Sequence, residues 1–354
     1  MTDGQPISPS FPDDVDVAVI AFNARATLPR LLECVRKSGA PEDRIVVYDM
    51  ASTDDSATWL ARERPSVKTV RLDINNGPNP GRNLALRSAT RPYLLLLDSD
   101  AYIRPDVPAR LRRALDRSQK VGTAVPVVVH GQDPKTLQYA SGSIHFICEA
   151  INPFVDRPLA ERGLEQRDIG AAPGVTFLID VAVARQIGQF DDRYFLGKDD
   201  GDFCHRLVLA GFRLVEDPRA VVEHAYKPRT VWLFKSQIRN RWHFLLKNYQ
   251  ARTLFILAPA LAIHEILQFA VLVGKGHGRA WWEALRDLIS WMPTLRADRR
   301  AVRQIRRVQD RNVLSAAPLI VRQDLMKSGV SRAFKRAYDG WLGLYWGVAR
   351  HLIS

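Results

Sequence analysis

Short apolar runs alternate with helix-spaced patterns over the first hundred positions. Val15 to Ala21 is apolar, and Leu28, Leu31, Leu32 and Val35 then recur on one face of a helix from about Thr27 to Lys37. A second run, Arg44 to Tyr48, ends at Asp49, and Ser52-Thr53-Asp54-Asp55 reads as the cap of the next helix. A third spans Val67 to Leu72. Beyond it, Asn75 to Gly81 is rich in Asn, Gly and Pro, and Arg82-Asn83 open a helix leading to Tyr93. Leu94 to Leu97 then run straight into Asp98-Ser99-Asp100. This alternation predicts a parallel α/β sheet. Ligands of such sheets bind beyond the carboxyl ends of the strands, where this chain places Asn23, Asp49 and Asp98.

Those endings carry candidate chemistry. Asp98 and Asp100, one residue apart, can share a divalent cation, and their repulsion makes an unaccompanied pair costly. Taken alone, they read better as turn or helix-capping aspartates, and it is the other motifs that shift the balance. Farther on, Asp199, Asp200 and Asp202 fall within four residues. Their repulsion calls for a nearby metal, cationic group or shared proton. An acidic helix N-terminus is the plainer reading, and Asp202 fits it as a cap. Val221-Val222-Glu223-His224 is an apolar edge ending in histidine.

Composition adds a division of the chain. The 354 residues, 46% hydrophobic and 25% charged, suit a folded protein of one large core or two domains. Met1 to Asp14 is polar and reads as a flexible N-terminus, without the cationic start and apolar segment of a cleaved secretory signal. Three scattered cysteines suit a reducing compartment. Through His224 there are 28 Lys and Arg against 31 Asp and Glu; from Ala225 onward there are 23 against 7. Seven of the eight tryptophans also lie in that basic part. Basic charge interleaved with tryptophan suits an anionic membrane surface, with nucleic acid as the other candidate partner.

The motifs from about Asp16 to His224 resemble the family 2 glycosyltransferases, which have the GT-A fold and use nucleotide-diphosphate sugars. Val17 to Asn23 looks like the family's opening strand, with Phe22 where tyrosine is usual. Asp49 to Asp54 looks like the segment holding the donor base and ribose, with Met50-Ala51 in place of the commoner Asn-Gly. Asn75 to Asn83 matches the glycine-containing loop and its Arg-Asn, and Asp98-Ser99-Asp100 matches the D-x-D signature. The resemblance thus implies donor contacts from Phe22, Asn23, Asp49, Asn75, Gly77, Arg82, Asp98 and Ser99. Asp199-Asp200-Gly201-Asp202, followed by Arg206, stands where the family usually has Glu-Asp-x-Asp and an arginine. This implies Asp200, with Asp199 beside it, as the base acting on the acceptor hydroxyl. His224 matches a histidine that completes the metal shell with Asp98 and Asp100, a site suited to Mn²⁺ or Mg²⁺. Pocket residues for the sugar are expected between Val125 and Gly174.

The basic part supports several readings. Arg239-Asn240-Arg241 followed by Phe244 to Asn248 resembles rhamnosyltransferase-like bacterial members that extend lipid-linked glycans. Thr253 to Val273 is 21 mostly apolar residues, about 31 Å as a helix, nominally enough to span a bilayer. Pro259, His264, Glu265 and Gln268 argue for an in-plane amphipathic helix or a buried core helix instead. Arg299 to Arg311 predicts a basic amphipathic helix around Val302, Ile305 and Val308, fit for anionic headgroups or a lipid diphosphate. Phe334, Tyr338, Trp341, Leu342, Tyr345 and Trp346 recur at helical spacing as a candidate interfacial belt.

The expectation is therefore an α/β GT-A domain over residues 15–230, a flexible segment 1–14, and a mainly helical, basic extension over 231–354. Its function would be metal-dependent inverting transfer of a sugar from a nucleotide donor to a glycan or lipid-linked acceptor in cell-envelope polysaccharide synthesis. The setting would be cytoplasmic, at the inner face of the membrane. Transfer onto polyprenyl phosphate is the nearest alternative, although that acceptor needs little deprotonation and would leave Asp200 little to do. No G-x-G-x-x-G follows the first strand, which weighs against a nicotinamide enzyme. A nucleic-acid module gives the acidic motifs no role, so no nucleic acid is expected as partner.

Overall fold

In the computed structural model, residues 10–225, 233–320 and 328–353 are described. Most of the polar start, residues 1–9, lies outside the described residues, as does the expected boundary at 230/231.

The first half builds as β1 (Val15–Ala21), α1 (Leu28–Lys37), β2 (Ile45–Asp49), α2 (Ser56–Glu63), β3 (Lys68–Arg71), α3 (Asn79–Ser88) and β4 (Tyr93–Asp98). Proline in the first turn opens α1 and α3, where its missing N–H costs nothing. Alternate residues of each strand point to opposite faces, so the leucine run divides. Leu95 and Leu97 join Val17, Val19, Leu28 and Leu31 in one core. Leu94 and Leu96 join Ala18, Ile20, Ala85 and Leu86 in another. Burial on both faces is why β4 reads as a continuous apolar run.

The second half adds β5 (Ala101–Ile103), α4 (Val107–Ala114), β6 (Val121–His130), β7 (Asp133–Tyr139), β8 (Ser143–His145), β9 (Ala150–Ile151), β10 (Arg167–Asp168), β11 (Thr176–Asp180), α5 (Val181–Gln186), α6 (Asp199–Leu209) and β12 (Arg213–His224). The large sheet runs β10-β12-β6-β11-β4-β1-β2-β3 among the described residues. It is parallel from β4 to β3, but β11 lies antiparallel between β4 and β6. The expected parallel sheet is therefore mixed, because an apolar run such as Thr176–Asp180 specifies burial and not direction.

The basic part folds as α7 (Leu233–Asn248), α8 (Ala251–Gly274), α9 (Gly278–Ile305), β13 (Leu314–Ser315) and α10 (Gly329–Leu352). It is bound into the α/β half: β13 pairs with β8, and Phe146 stacks on Trp346 at 5.2 Å. The expected helix over Arg299 to Arg311 stops at Ile305. There Arg307 N and Val308 N donate to Leu209 O, while the Arg306 guanidinium reaches Asp310 and the Asn248 carbonyl. Arg299 likewise donates to Leu246 O. Two arginines of that run thus cap the last carbonyls of α7, where cations suit the helix dipole.

By length and composition α8 is able to cross a membrane, yet it is mostly exposed and is not a buried core helix. Its polar side faces the protein. Glu265 accepts from Arg241 and, at 2.7 Å each, from the indoles of Trp242 and Trp281, and His264 Nδ1 lies 3.1 Å from Tyr338 Oη. Phe255, Ile266, Val271 and Val273 face outward.

Candidate active site

Parallel strand ends set the first wall. Asn23 follows β1 in the left-handed region (φ 47°), and its Oδ1 accepts from Thr53 N at 2.8 Å. The Asn23 N–H donates to Ser52 Oγ at 2.9 Å. Asp49, closing β2, is only 1% exposed: Oδ1 accepts from Ser52 N and Oδ2 from Arg71 Nη1, each at 2.9 Å. Phe22 stands exposed beside Asn23.

The loop before α3 is pinned to the segment before α6. Asn75 Oδ1 accepts from Gly77 N at 2.9 Å, and Gly77 has φ +87°, with Phe195 O only 2.2 Å from where a Cβ would sit. Only glycine fits that approach. Asn79 and Asn83 then hold the backbone carbonyls of Asp191 and Phe190, at 2.9 and 2.8 Å.

Arg82 joins the two acidic motifs. Only 3% exposed, its guanidinium donates to Asp98 Oδ1 at 3.1 Å, Asp199 Oδ2 at 3.1 Å and Gly174 O at 3.0 Å. The buried Asp199 also accepts from Gly197 N at 2.8 Å. Asp200 is the more open of its pair, held by Gly174 N at 3.0 Å and Gly201 N at 2.7 Å. Asp202 is no solvated cap. It is buried against Arg206, Lys247 Nζ (2.9 Å) and Asn248 Nδ2 (2.9 Å).

Opposite, Ser99 N donates to Ile20 O at 3.1 Å, fixing the D-x-D turn against β1. His224 Nε2 stands 3.5 Å from Asp100 Oδ1, and its Nδ1 lies 2.8 Å from Gln138 Oε1. The carboxamide therefore orients the imidazole toward Asp100.

One guanidinium and one imidazole face four carboxylates here. Burial pushes the Asp98 carboxyl up, with Asp100 adding to the rise and Arg82 opposing it. Asp199 is pushed up to about 6 by burial and then by the charge of Asp200, again against Arg82. A divalent cation would relieve this surplus of negative charge. Among the described residues no three His, Cys, Asp or Glu side chains converge as a ready-made metal cage. Asp98 turns to Arg82, and the pair facing each other is Asp100 and His224, an oxygen and nitrogen donor set that fits Mn²⁺ or Mg²⁺ with the remaining positions left to a diphosphate.

The strand ends bring Asn23, Asp49, Asp98, Asp100 and His224 to one side of the sheet, and Arg82 adds Asp199 and Asp200. Gln138, Gly174 and Lys247 are the further residues, and their partners lie 86, 26 and 45 positions away. Only the glycine in the Gly174-Val175-Thr176 turn gave a local signal.

The glycosyl transferase family 2 pattern matches residues 16–187. The succinoglycan biosynthesis protein ExoO of Rhizobium meliloti is 33% identical over 115 residues, covering 32% of this chain and 32% of its own length. The N-acetylglucosaminyl-diphospho-decaprenol L-rhamnosyltransferase of Mycobacterium tuberculosis is 24% identical over 237 residues, covering 60% and 76%. The crystal structure of GalNAc-T7 with UDP, GalNAc and Mn²⁺ superposes with a TM-score of 0.54 at 17% identity, over 67% of this chain and 48% of that one. The chain spans less than half the length of the first curated relatives it matches. The D-x-D turn and Arg82 thus lie within residues 16–187, the stretch that matches glycosyl transferase family 2, and the domain has the GT-A fold.

Proposed function

We propose that this protein is a metal-dependent, inverting glycosyltransferase that moves a sugar from a nucleotide-diphosphate donor to a hydroxyl of a glycan or lipid-linked acceptor. Its pathway would be cell-envelope polysaccharide synthesis. The observation that carries the reading is Arg82, whose single guanidinium binds Asp98 at the D-x-D turn and Asp199 at the base helix. It keeps the donor side and the acceptor side of one cleft in fixed relation.

Asp100 and His224 would hold the cation. When bound there, the metal neutralises charge developing on the departing nucleoside diphosphate. Asn23, Asn75 and the Gly77 loop line the donor side, and Phe22 offers an exposed ring. Asp200 takes the proton from the attacking hydroxyl, its carboxylate aimed by Gly174 N and Gly201 N. Attack opposite the leaving group inverts the anomeric centre, as in the single displacement of this family.

We place the protein at the cytoplasmic face of an anionic membrane. The outward apolar side of α8 and the exposed Val330, Phe334, Leu344 and Val348 of α10 support this, together with the exposed Arg296, Arg300 and Arg303 of α9.

The test is calorimetric titration of the full chain with UDP-, dTDP- and GDP-sugars, with and without Mn²⁺, repeated on Asp100→Ala. Binding of one nucleotide class that needs both metal and Asp100 supports the reading. An intact fold that binds no donor under any of these conditions refutes it.

A further inference from the structure

β7 pairs with β6 and ends on two polar side chains. Gln138 turns to His224, and Tyr139 turns to the segment 170–174, where its hydroxyl donates to Ala171 O at 3.2 Å. The corner that follows is held from several sides. Asn152 accepts from Ala140 N at 3.1 Å and donates to Gln138 O at 2.8 Å. The buried Glu216, paired with Arg162, accepts from Ser141 N at 2.6 Å, and Ser141 stands in the left-handed region (φ 55°). Gly142 O then accepts from Gly170 N at 2.9 Å and Ala171 N at 3.1 Å. A Cβ on Gly142 would lie 1.7 Å from Tyr139 Oη and 2.5 Å from Ala171 O, so a corner without a side chain is what lets the phenol reach the segment.

The far end of that segment meets Asp200. Past Ala171 the run is stiffened by Pro173, and Gly174 N donates to Asp200 Oδ2 at 3.0 Å. Asp200 Oδ1 is held within its own helix, by Gly201 N at 2.7 Å. One carboxylate oxygen is therefore fixed locally and the other from a distance, and the plane of the carboxylate depends on where the segment 170–174 lies. We propose that Tyr139 and Gly142 are positioning residues for the transfer: the phenol and the open corner fix the segment 170–174, and the segment aims Asp200 at the acceptor. This rests on the reading of Asp200 as the base given above. Burial, and then the charge of Asp200, raises the Tyr139 phenol well above its ordinary value, so the hydroxyl stays a donor and is no second base. A misplacement of about 1 Å at a reacting group costs roughly 100-fold in rate, so loosening one anchor of this segment is expected to reach the chemistry.

The experiment compares Tyr139→Phe and Gly142→Ala in the full-length protein, each alone and combined with Asp200→Asn. Release of nucleoside diphosphate from UDP-, dTDP- and GDP-sugars with Mn²⁺, water serving as acceptor, gives kcat and the donor KM. Crystal structures of wild type and the single variants give the separation of Gly174 N and Asp200 Oδ2. Each single variant is expected to lower kcat by about tenfold with the donor KM changed by no more than about twofold, and to open that separation beyond hydrogen-bonding reach. On top of Asp200→Asn neither is expected to lower kcat further, because no carboxylate is left to aim. A loss that persists in the Asp200→Asn background overturns the proposal, because that is the signature of a merely structural role. A Gly174 to Asp200 contact unchanged in both variants also overturns it, and decides alone where release onto water is too slow to follow. Tyr139→Phe keeps the ring and carries the test if Gly142→Ala does not fold. If Asp200→Asn leaves kcat intact, the base reading falls and this proposal with it; if Asp200→Asn removes the rate while Tyr139→Phe and Gly142→Ala leave it unchanged, this proposal alone falls.

Discussion

Lys247, one residue from the end of α7, places its ammonium 2.9 Å from Asp202, in the first turn of the helix that carries Asp200. The same ammonium lies 2.8 Å from Asp191. Burial alone would push Asp202 up, but Arg206 and Lys247 outweigh it and hold the carboxyl at about 2. The basic part of the chain is therefore structural support for the acidic helix as well as a surface. Lys247→Met leaves two buried carboxylates short of a cation and is expected to cost roughly 3–5 kcal/mol of stability. Thermal and urea unfolding of the full chain read this. A fragment ending at residue 230 is expected to lack cooperative unfolding, which the same measurement would reveal.

Neighbouring aspartates should separate by kinetics. Asp200→Asn is expected to lower kcat by roughly 10²- to 10⁴-fold while donor affinity stays close to wild type, as follows from the proposed role of the carboxylate toward the acceptor proton. Asp199→Asn instead weakens the Arg82 junction, with an expected stability loss of about 1–3 kcal/mol and weaker donor binding. Equal kinetic profiles for the two variants would contradict the division of roles.

Gly174 tests the junction from the backbone. A Cβ there would lie 2.4 Å from Arg82 Nη2 and 2.8 Å from Arg82 Cζ. An arginine end on the surface would swing aside, but this one is fixed by Asn79, Asp98, Asp199 and the Gly174 carbonyl itself. Gly174→Ala is expected to cost about 1–3 kcal/mol and to weaken metal-dependent donor binding in the same titration. Wild-type affinity in this variant would show that Arg82 has freedom the packing denies it.

How much of this was written locally differs by element. The apolar run of β1 and the polar strand endings at Asp49 and Asp98 were legible, because strand, helix and turn chemistry there involve neighbours in sequence. The direction of β11 was not legible, since a fully buried strand has no polar edge to orient it. Nor were the pairs of Arg82 with Asp199 and His224 with Gln138, which side-chain types alone do not specify. The arginines near residue 300 show the opposite problem. Their spacing looked like a solvated or lipid-facing stripe, yet Arg299 and Arg306 are spent on the carbonyls of Leu246 and Asn248. Charge that caps a distant helix looks the same in sequence as charge that faces water.

Buried histidines give the fold a pH dependence of its own. Burial holds His145, His205 and His243 at about 4, against 6.5 for an ordinary imidazole. His205 packs against Phe244 and Tyr249 with neither ring nitrogen hydrogen-bonded. Between pH 6.5 and 4 the unfolded chain binds protons at these positions that the folded chain refuses. Stability is thus full above pH 6.5 and falls as the pH drops toward 4, by about 2 kcal/mol for His205 alone between pH 7.5 and 5. Asp199 works in the opposite sense, because its raised carboxyl takes up a proton in the folded state first, and stability from it rises as the pH falls below 6. The two contributions separate by substitution. His205→Phe keeps an aromatic ring against Phe244 and removes only the titration, so the difference between its urea midpoints at pH 7.5 and 5 should shrink relative to wild type. An undiminished difference would mean that His205 is protonated inside the folded protein, with a counter-charge drawn from Asp202 or Asp310.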